Sequence, residues 1–345
     1  MSAVTELREE TISFQAGDGL PANLVHVRGQ AAPTRGPVLL VHGAGVRGNI
    51  FRAPVAANLV DVLIANGYDV WLENWRASID LPPNCWDLDQ AAVFDHPEAV
   101  RTVVARTGAE RVQAIIHCQG STSFMMASVA GLVPQVRTII SNAVALHPVV
   151  PAWSGFKLAC LLPVVRLLTD HLDPHWGEKA PRGFPRLIDI AVKLVHRECD
   201  NGVCKHVSFT YGAGFPALWR HENLNSATHD WLKQEFGFVP LTFFEQMREC
   251  VRAGRLVSTG RLPELPRDFT ASPPRTDARF IFLAGLRNRC FLPASQERTH
   301  EYFLGQRVRA STLYRFPGYS HLDVFLGSRA NEDIFPVILE ELGRD

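Results

Sequence analysis

In the segment IHCQGSTSF, residues 116–124, a cysteine stands where an apolar run ends and a helix-forming run begins. A strand that passes into a helix through one tight turn exposes the side chain at that turn, which is where a reactive nucleophile is placed. The start of the helix adds free N–H groups and a partial positive charge, and both favour a thiolate over a thiol. Cys118 therefore has the setting for covalent catalysis, with Gly120 allowing the helix to pack close to the strand and Ser121 and Ser123 keeping it small. Such turns usually read small-x-nucleophile-x-small, and here the first small position is Ile116. The bland alternative is that Cys118 is one more small buried side chain, as most free cysteines are.

A cysteine that attacks a carbonyl needs donors for the developing oxyanion and a base or acid beside it. The donors are expected from the backbone N–H of Gln119, next after the nucleophile, and from the loop HGAGVRG at 42–48, where Ala44 is the candidate. PGYSHLDVFLG, residues 317–327, follows a strand and precedes the terminal helix, so it places His321 in the loop expected to carry the base. The third member should follow the strand RFIFLAG. The loop GLRNRCFLP contains no acid, and Asn288 sits at the expected offset. With a cysteine this is coherent, because a thiolate and an imidazolium can pair in the resting state and an amide then only orients the ring. Asp323 is the rival and is expected to shape the loop.

The elements that must hold these residues alternate. Two short strands around AGDG precede the buried run PVLLVHG. A helix entered at Pro54 follows, then the strand YDVWLENW, a helix from Pro97 to Ala105, the strand RVQAIIH at 111–117 and a helix from Gln119 to Val133. This alternation implies a mostly parallel sheet. After VRTIISNAVAL at 136–146 the pattern is lost for some 130 residues. It resumes at ARFIFLAG, continues with a helix after Pro293 and the strand RASTLYRF, and closes with a helix from Asn331 to Leu342. A core of residues 1–146 and 278–345 with an inserted cap of 147–277 is the expected organisation, the cap lying over the carboxyl ends of the strands.

Together these pieces resemble the acid lipase branch of the α/β-hydrolase fold, the family of gastric and lysosomal lipases. The resemblance rests on VLLVHGAG, GYDVWLENWRAS, IHCQGSTS and GYSHLDVF, spread over both core segments. Acid lipases typically have GHSQG where this chain has IHCQG, and an aspartate where it has Asn288. At the elbow the cysteine is similar to that of polyhydroxyalkanoate synthases, which transfer acyl groups from thioesters, and of dienelactone hydrolases. The chain is also similar to the hydrolase-like region attached to cholesterol-oxidase-type flavoproteins, which implies a bulky lipophilic substrate, although no flavin-binding segment is present. The resemblance implies an α/β-hydrolase fold: a mostly parallel central sheet, helices on both faces and an inserted cap.

The chain is 345 residues long, long enough for one large α/β domain with an insertion. Lysine plus arginine and aspartate plus glutamate both total 35, so no basic field exists to hold a phosphate backbone, and nucleic acid is excluded as a partner. The start MSAVTELREET has no apolar core of a signal peptide, which suggests a cytoplasmic protein. Residues 149–168 are the most apolar stretch, but Lys157, Arg166 and two prolines interrupt it, against a spanning helix. The two charges could mark a cap face resting on a membrane surface, with a solvated helix the commoner explanation.

Seven cysteines without a signal peptide do not suggest a disulfide framework. HRECDNGVCKH packs His196, Cys199, Cys204 and His206 into one stretch, a set zinc could accept, although the cysteines are further apart than in known fingers. A compact loop or a local Cys199–Cys204 disulfide is the preferred reading, and no metal or cofactor is expected. Trp219, His221, His229 and Trp231 are read as cap packing and pocket lining. The expected chemistry is hydrolysis of an ester, lactone or thioester of a lipophilic substrate through an acyl-Cys118 intermediate. An acyltransferase with the same intermediate comes second, and a catalytically inactive binding module third.

Overall fold

The computed structural model describes residues 7–306 and 308–344, so residues 1–6, which open the N-terminal stretch read above, lie outside the described residues. In chain order the strands are β1 (Arg8–Gln15), β2 (Pro21–Arg28), β3 (Pro37–Val41), β4 (Asp69–Asn74), β5 (Val112–His117), β6 (Val136–Asn142), β7 (His171–Leu172), β8 (Val239–Pro240), β9 (Arg279–Gly285) and β10 (Ser311–Phe316). Eight of them form one sheet in the order β1-β2-β4-β3-β5-β6-β9-β10. The pairs β1–β2 and β2–β4 are antiparallel and the remaining pairs parallel. Strands β3, β4, β5 and β9 are buried along their whole length; β3 and β9 are accordingly near-continuous apolar runs, while β4 and β5 also bury Asp69, Glu73, Asn74, Gln113 and His117.

Strand β3 lies between β4 and β5, so the chain leaves β3 toward one side of the sheet and later returns on the other. A crevice opens at the carboxyl ends of strands where the order reverses in this way, and the ends of β3 and β5 flank it.

Two helices depart from the sequence reading. Helix α1 (Leu59–Ala65) starts five residues after Pro54, because the Asn58 side chain accepts the N–H of Asp61 at 3.0 Å and caps the helix there. Helices α2 (His96–Thr107) and α3 (Cys118–Val129) follow, and every residue of α3 is buried. At the C-terminus one helix was expected. The structure has a short turn, Ala330–Asp333, then a break at Ile334 before the helix Phe335–Leu342. Pro336 lacks an N–H and constrains the residue before it, so the helical ladder cannot run through this point.

The long connection from β6 to β9 carries helical turns over 152–165, the helices α4 (Phe184–Val195), α5 (Gly202–Tyr211) and α6 (Thr242–Ala253), and the two-residue ribbon β7–β8. Helix α7 (Ala294–Leu304) then joins β9 to β10. Among the described residues no helix is long and apolar enough to cross a membrane.

Candidate active site

Cys118 follows directly on β5 and holds φ at +56°, in the left-handed region that residues other than glycine seldom adopt. Such a backbone is kept only where its surroundings over-determine it. Here they do. A Cβ on Gly120 would lie 2.1 Å from the His42 carbonyl oxygen, so glycine at that position lets α3 start against the end of β3. The turn closes with Ile116 fully buried at the usual small position. Room beside the nucleophile comes from Gly43, where a Cβ would stand 2.9 Å from Cys118 Cβ and 3.3 Å from its Sγ.

Gly43 and Ala44 line a small void with His117, Cys118, Tyr211 and His321. The Cys118 thiol is held well below its ordinary pKa. The Cys290 thiol beside it is the main cause, burial opposes it, and His321 and the Gln119 N–H add to it. Cys290 is pushed well above the ordinary thiol value by burial and by Cys118. Of the two sulfurs, Cys118 has His321 and the Gln119 N–H beside it, whereas the Cys290 thiol donates to the Tyr211 carbonyl at 3.4 Å.

Ligating atoms of His117, Cys118 and His321 lie within 4.8 Å of one another. His321 is fixed through its backbone: its N–H donates to the Leu218 carbonyl at 3.0 Å, and its carbonyl accepts from Asn142 Nδ2 at 3.1 Å. Asn142 Nδ2 also donates to His117 Nδ1 at 2.9 Å. Burial, then the neighbouring His321, keeps the His117 pKa well below the usual histidine value, so this ring stays neutral.

Asn288 stands at His321 with a definite orientation. Its Oδ1 accepts the backbone N–H of Cys290 at 2.9 Å and of Phe291 at 3.2 Å, which only the oxygen can do. The NH2 group therefore faces His321 Nδ1 at 3.2 Å and donates to it. This sense is opposite to the one an imidazolium needs, because Nδ1 is made an acceptor and the ring proton is left on Nε2. Asp323 does not reach the imidazole: it accepts from the Ser320 N–H at 2.9 Å and from Asn223 Nδ2 at 2.5 Å. Burial pushes its carboxyl up to about 6.

Beside the site lies an apolar cavity of about 350 Å³, within the range of small-molecule pockets. Gln119, Cys290 and Phe291 contribute its wall nearest Cys118, and Leu161, Val165, Phe184 and Met247 of the long connection contribute much of the rest. Lys157 also lines it, donating to the Phe209 carbonyl, and burial lowers its pKa to about 8. The expectation that Lys157 marks an outward face is thus corrected, since its ammonium turns inward; Arg166 pairs with Glu245 at 3.1 Å.

Trp219, His221, His229 and Trp231 do not line this cavity. His196 Nδ1 meets the Gly214 carbonyl at 2.6 Å and its Nε2 lies 3.9 Å from the Cys199 sulfur, while His206 meets Asp189 at 3.2 Å, so the four residues of the stretch 196–206 do not converge as one set of ligands. Sequence reasoning missed Cys290, Tyr211, His117 and Asn142. His117, directly before Cys118, and Cys290, two residues after Asn288 in the same loop, carried a signal that proximity in sequence could have exposed.

No family model matches the chain. Lipase member K of Homo sapiens is 24% identical over 336 residues, covering 91% of this chain and 81% of that protein. Sterol esterase 2 of Saccharomyces cerevisiae is 26% identical over 165 residues, 40% of this chain and 31% of that protein, so the match spans about a third of its length. The solved structure of the esterase EaEST from Exiguobacterium antarcticum superposes with a TM-score of 0.58 at 13% identity, covering 97% of this chain and 100% of that one. The protein has the α/β-hydrolase fold and is a distant sequence relative of lipases and esterases.

Proposed function

We propose that the protein cleaves a lipophilic ester, lactone or thioester through an acyl-Cys118 intermediate. The observation that carries this reading is Cys118 on a left-handed turn with a ring nitrogen of His321 within 4.8 Å of its sulfur. The Cys118 thiolate attacks the carbonyl carbon, and the carbonyl electrons move to an oxygen held by the Gln119 and Ala44 N–H groups. Collapse expels the alcohol or thiol, which leaves with a proton from the His321 imidazolium, and the acyl group stays on sulfur. Water then attacks, with His321 taking its proton, and the thiolate is regenerated.

Residues 147–277 act in this reading as a cap whose apolar cavity holds the acyl or alcohol portion. Leu167, Leu168, Leu187 and Leu194 of that segment are exposed, which supports contact with a lipid surface during substrate entry. The relatives named as lipases and esterases support ester cleavage, and the fold alone does not assign it.

The orientation of Asn288 favours a second reading, acyl transfer. To take a proton from water at Nε2, neutral His321 must carry its own proton on Nδ1, which faces the Asn288 NH2. Turning the amide over would correct this and would give up two hydrogen bonds, at about 1 kcal/mol each. Exchange between a thioester and an acceptor arriving as a thiolate needs no proton transfer at all, so the tautomer that Asn288 favours does not impede it.

The test is intact-protein mass spectrometry after brief exposure to a thiol alkylator and, separately, to an activated acyl ester and an acyl thioester. Wild type is compared with Cys118→Ala and His321→Ala, with water and an added thiol as competing acceptors. An acyl adduct confined to Cys118 supports covalent catalysis, and the ratio of free acid to transferred acyl group separates the two readings. Labelling of Cys118 no faster than the other cysteines, with no acyl adduct, overturns both.

A further inference from the structure

Away from Cys118 the fold gathers a second group of ligating side chains. Cys199, Cys204, His221 and His229 each bring one ligand atom to within 4.8 Å of the other three. We propose that these four residues bind one zinc ion, which fixes the segment behind the His321 loop.

Four observations carry the assignment. The Cys204 sulfur lies 3.5 Å from His221 Nε2. A tetrahedral zinc with bonds of about 2.3 Å to sulfur and about 2.0–2.1 Å to nitrogen holds its S and N ligands roughly 3.5 Å apart, so this pair already has the required separation. His229 Nε2 is buried and has no hydrogen-bond partner, an arrangement that costs free energy unless something accepts its lone pair or its proton.

The other nitrogen of His221 is held by a carboxylate, Nδ1 to Glu198 Oε2 at 3.2 Å. A carboxylate in that place fixes the tautomer and leaves Nε2 free for a metal. Finally, Asn201 ties two ligands together: its Oδ1 accepts the Cys204 N–H at 3.0 Å and its Nδ2 donates to the His229 carbonyl at 2.8 Å. Two sulfurs and two imidazoles select zinc over calcium or magnesium, and four protein ligands close the coordination sphere, as in structural sites.

The linear sequence hides this set because the histidines stand 17 and 25 residues beyond Cys204, the latter on a separate helical turn. Closer in the chain, His206 points to Asp189, and His196, whose Nδ1 meets the Gly214 carbonyl, turns its Nε2 to 3.9 Å from the Cys199 sulfur but stands outside the four-residue group. The consequence reaches the candidate active site. Glu198 also accepts the Ala217 N–H at 3.2 Å, and Leu218, three residues before His221, accepts the His321 N–H. Removing the ion frees residues 217–221 and with them the backbone hydrogen bond that places His321.

The test uses the full chain purified from zinc-supplemented culture, with metal content measured by mass spectrometry and the melting temperature followed before and after chelation. We expect one zinc per chain in wild type and in Cys118→Ala, and loss of it in Cys199→Ser and His229→Ala. Chelation should lower the melting temperature and slow alkylation of Cys118 by tenfold or more, with recovery on adding zinc chloride. If those variants do not fold, cobalt titration of the chelated wild type gives an independent readout, in which one equivalent should produce the intense visible bands of a tetrahedral cobalt thiolate and protect Cys199 and Cys204 from alkylation. Absence of stoichiometric zinc after incubation with zinc chloride, retention of zinc by His229→Ala, loss of zinc in Cys118→Ala, or a Cys199–Cys204 disulfide in the purified protein would each overturn the proposal.

Discussion

Helix α3 is touched by two histidine chains. Near its first turns, His96 Nε2 meets Ser123 Oγ at 2.8 Å while His96 Nδ1 meets Glu73 at 2.8 Å, and all three side chains are fully buried. At its first residue, Cys118 has His321 and Asn288. By residue type the first chain is the better hydrolytic triad, with a hydroxyl, an imidazole and a carboxylate in good geometry. Yet Ser123 lies within the helix, donates its own proton to the Gln119 carbonyl at 3.0 Å, and lines none of the cavities around the site. Cys118 has a poorer third partner but sits on the left-handed turn with a void before it. Hydrogen-bonded types at suitable distances make a structural pin as readily as a catalytic group. The left-handed backbone and the void beside it separate Cys118 from Ser123.

The comparison is tested most severely at the nucleophile. Cys118→Ala should lower turnover of an activated ester by on the order of 10³-fold or more, measured at saturating and limiting substrate. A residual rate near wild type would leave the sealed serine as the better candidate. Next, His321→Ala should slow both acylation and alkylation of Cys118 by about 10²-fold, followed by stopped-flow release of the leaving group.

Asn288→Asp probes the tautomer directly. A carboxylate there can keep the two backbone N–H bonds with one oxygen and accept from Nδ1 with the other, so hydrolysis of the acyl-enzyme should rise by on the order of 10²-fold. An unchanged deacylation rate would show that the orientation of the amide does not limit the step.

Asp323 supplies a check on stability. Its carboxyl is raised to about 6, against about 3.9 in an unfolded chain. Between roughly pH 4 and 6 the unfolded chain has released this proton and the folded one still holds it. Stability therefore falls as pH rises through that window, by roughly 3 kcal/mol, and is flat above it as far as this group is concerned. Urea melts from pH 4 to 7 should show the decline in wild type and its absence in Asp323→Asn. The smallest effect is expected at the sealed chain. Ser123→Ala leaves buried His96 Nε2 without its hydrogen-bond partner and should cost about 1–3 kcal/mol in denaturant melts, with Cys118 alkylation within about twofold of wild type.

Much of the frame was legible in the sequence because parallel strands buried on both faces are unbroken apolar runs, as in Val38 to Val41 and Phe280 to Leu283. Cys118 stood out because a strand and a helix met at it without a loop. What escaped depends on contacts between distant residues. The start of α1 was set by the Asn58 side chain and not by Pro54, and the ribbon β7–β8 has two residues per strand, too few to show a period. Asn288 could be placed by its offset, but its donor sense follows from the N–H groups of Cys290 and Phe291, which no spacing reveals. Cys290 itself was one thiol among seven until the fold set it beside Cys118.

The long connection is sewn to the loops that carry Ala44 and His321. The Gly237 N–H donates to the Gly45 carbonyl at 3.0 Å and the Tyr211 hydroxyl to the Ala44 carbonyl at 2.9 Å, both in the loop facing Cys118. On the other side the Leu218 carbonyl receives the His321 N–H, and the Asn223 carbonyl receives the Ser328 N–H at 2.8 Å. In an engineering sense this segment is not a module. A chimera that exchanges it for the corresponding stretch of a relative would remove partners from both loops at once, so a new substrate range could be grafted only together with the backbone positions that answer to it.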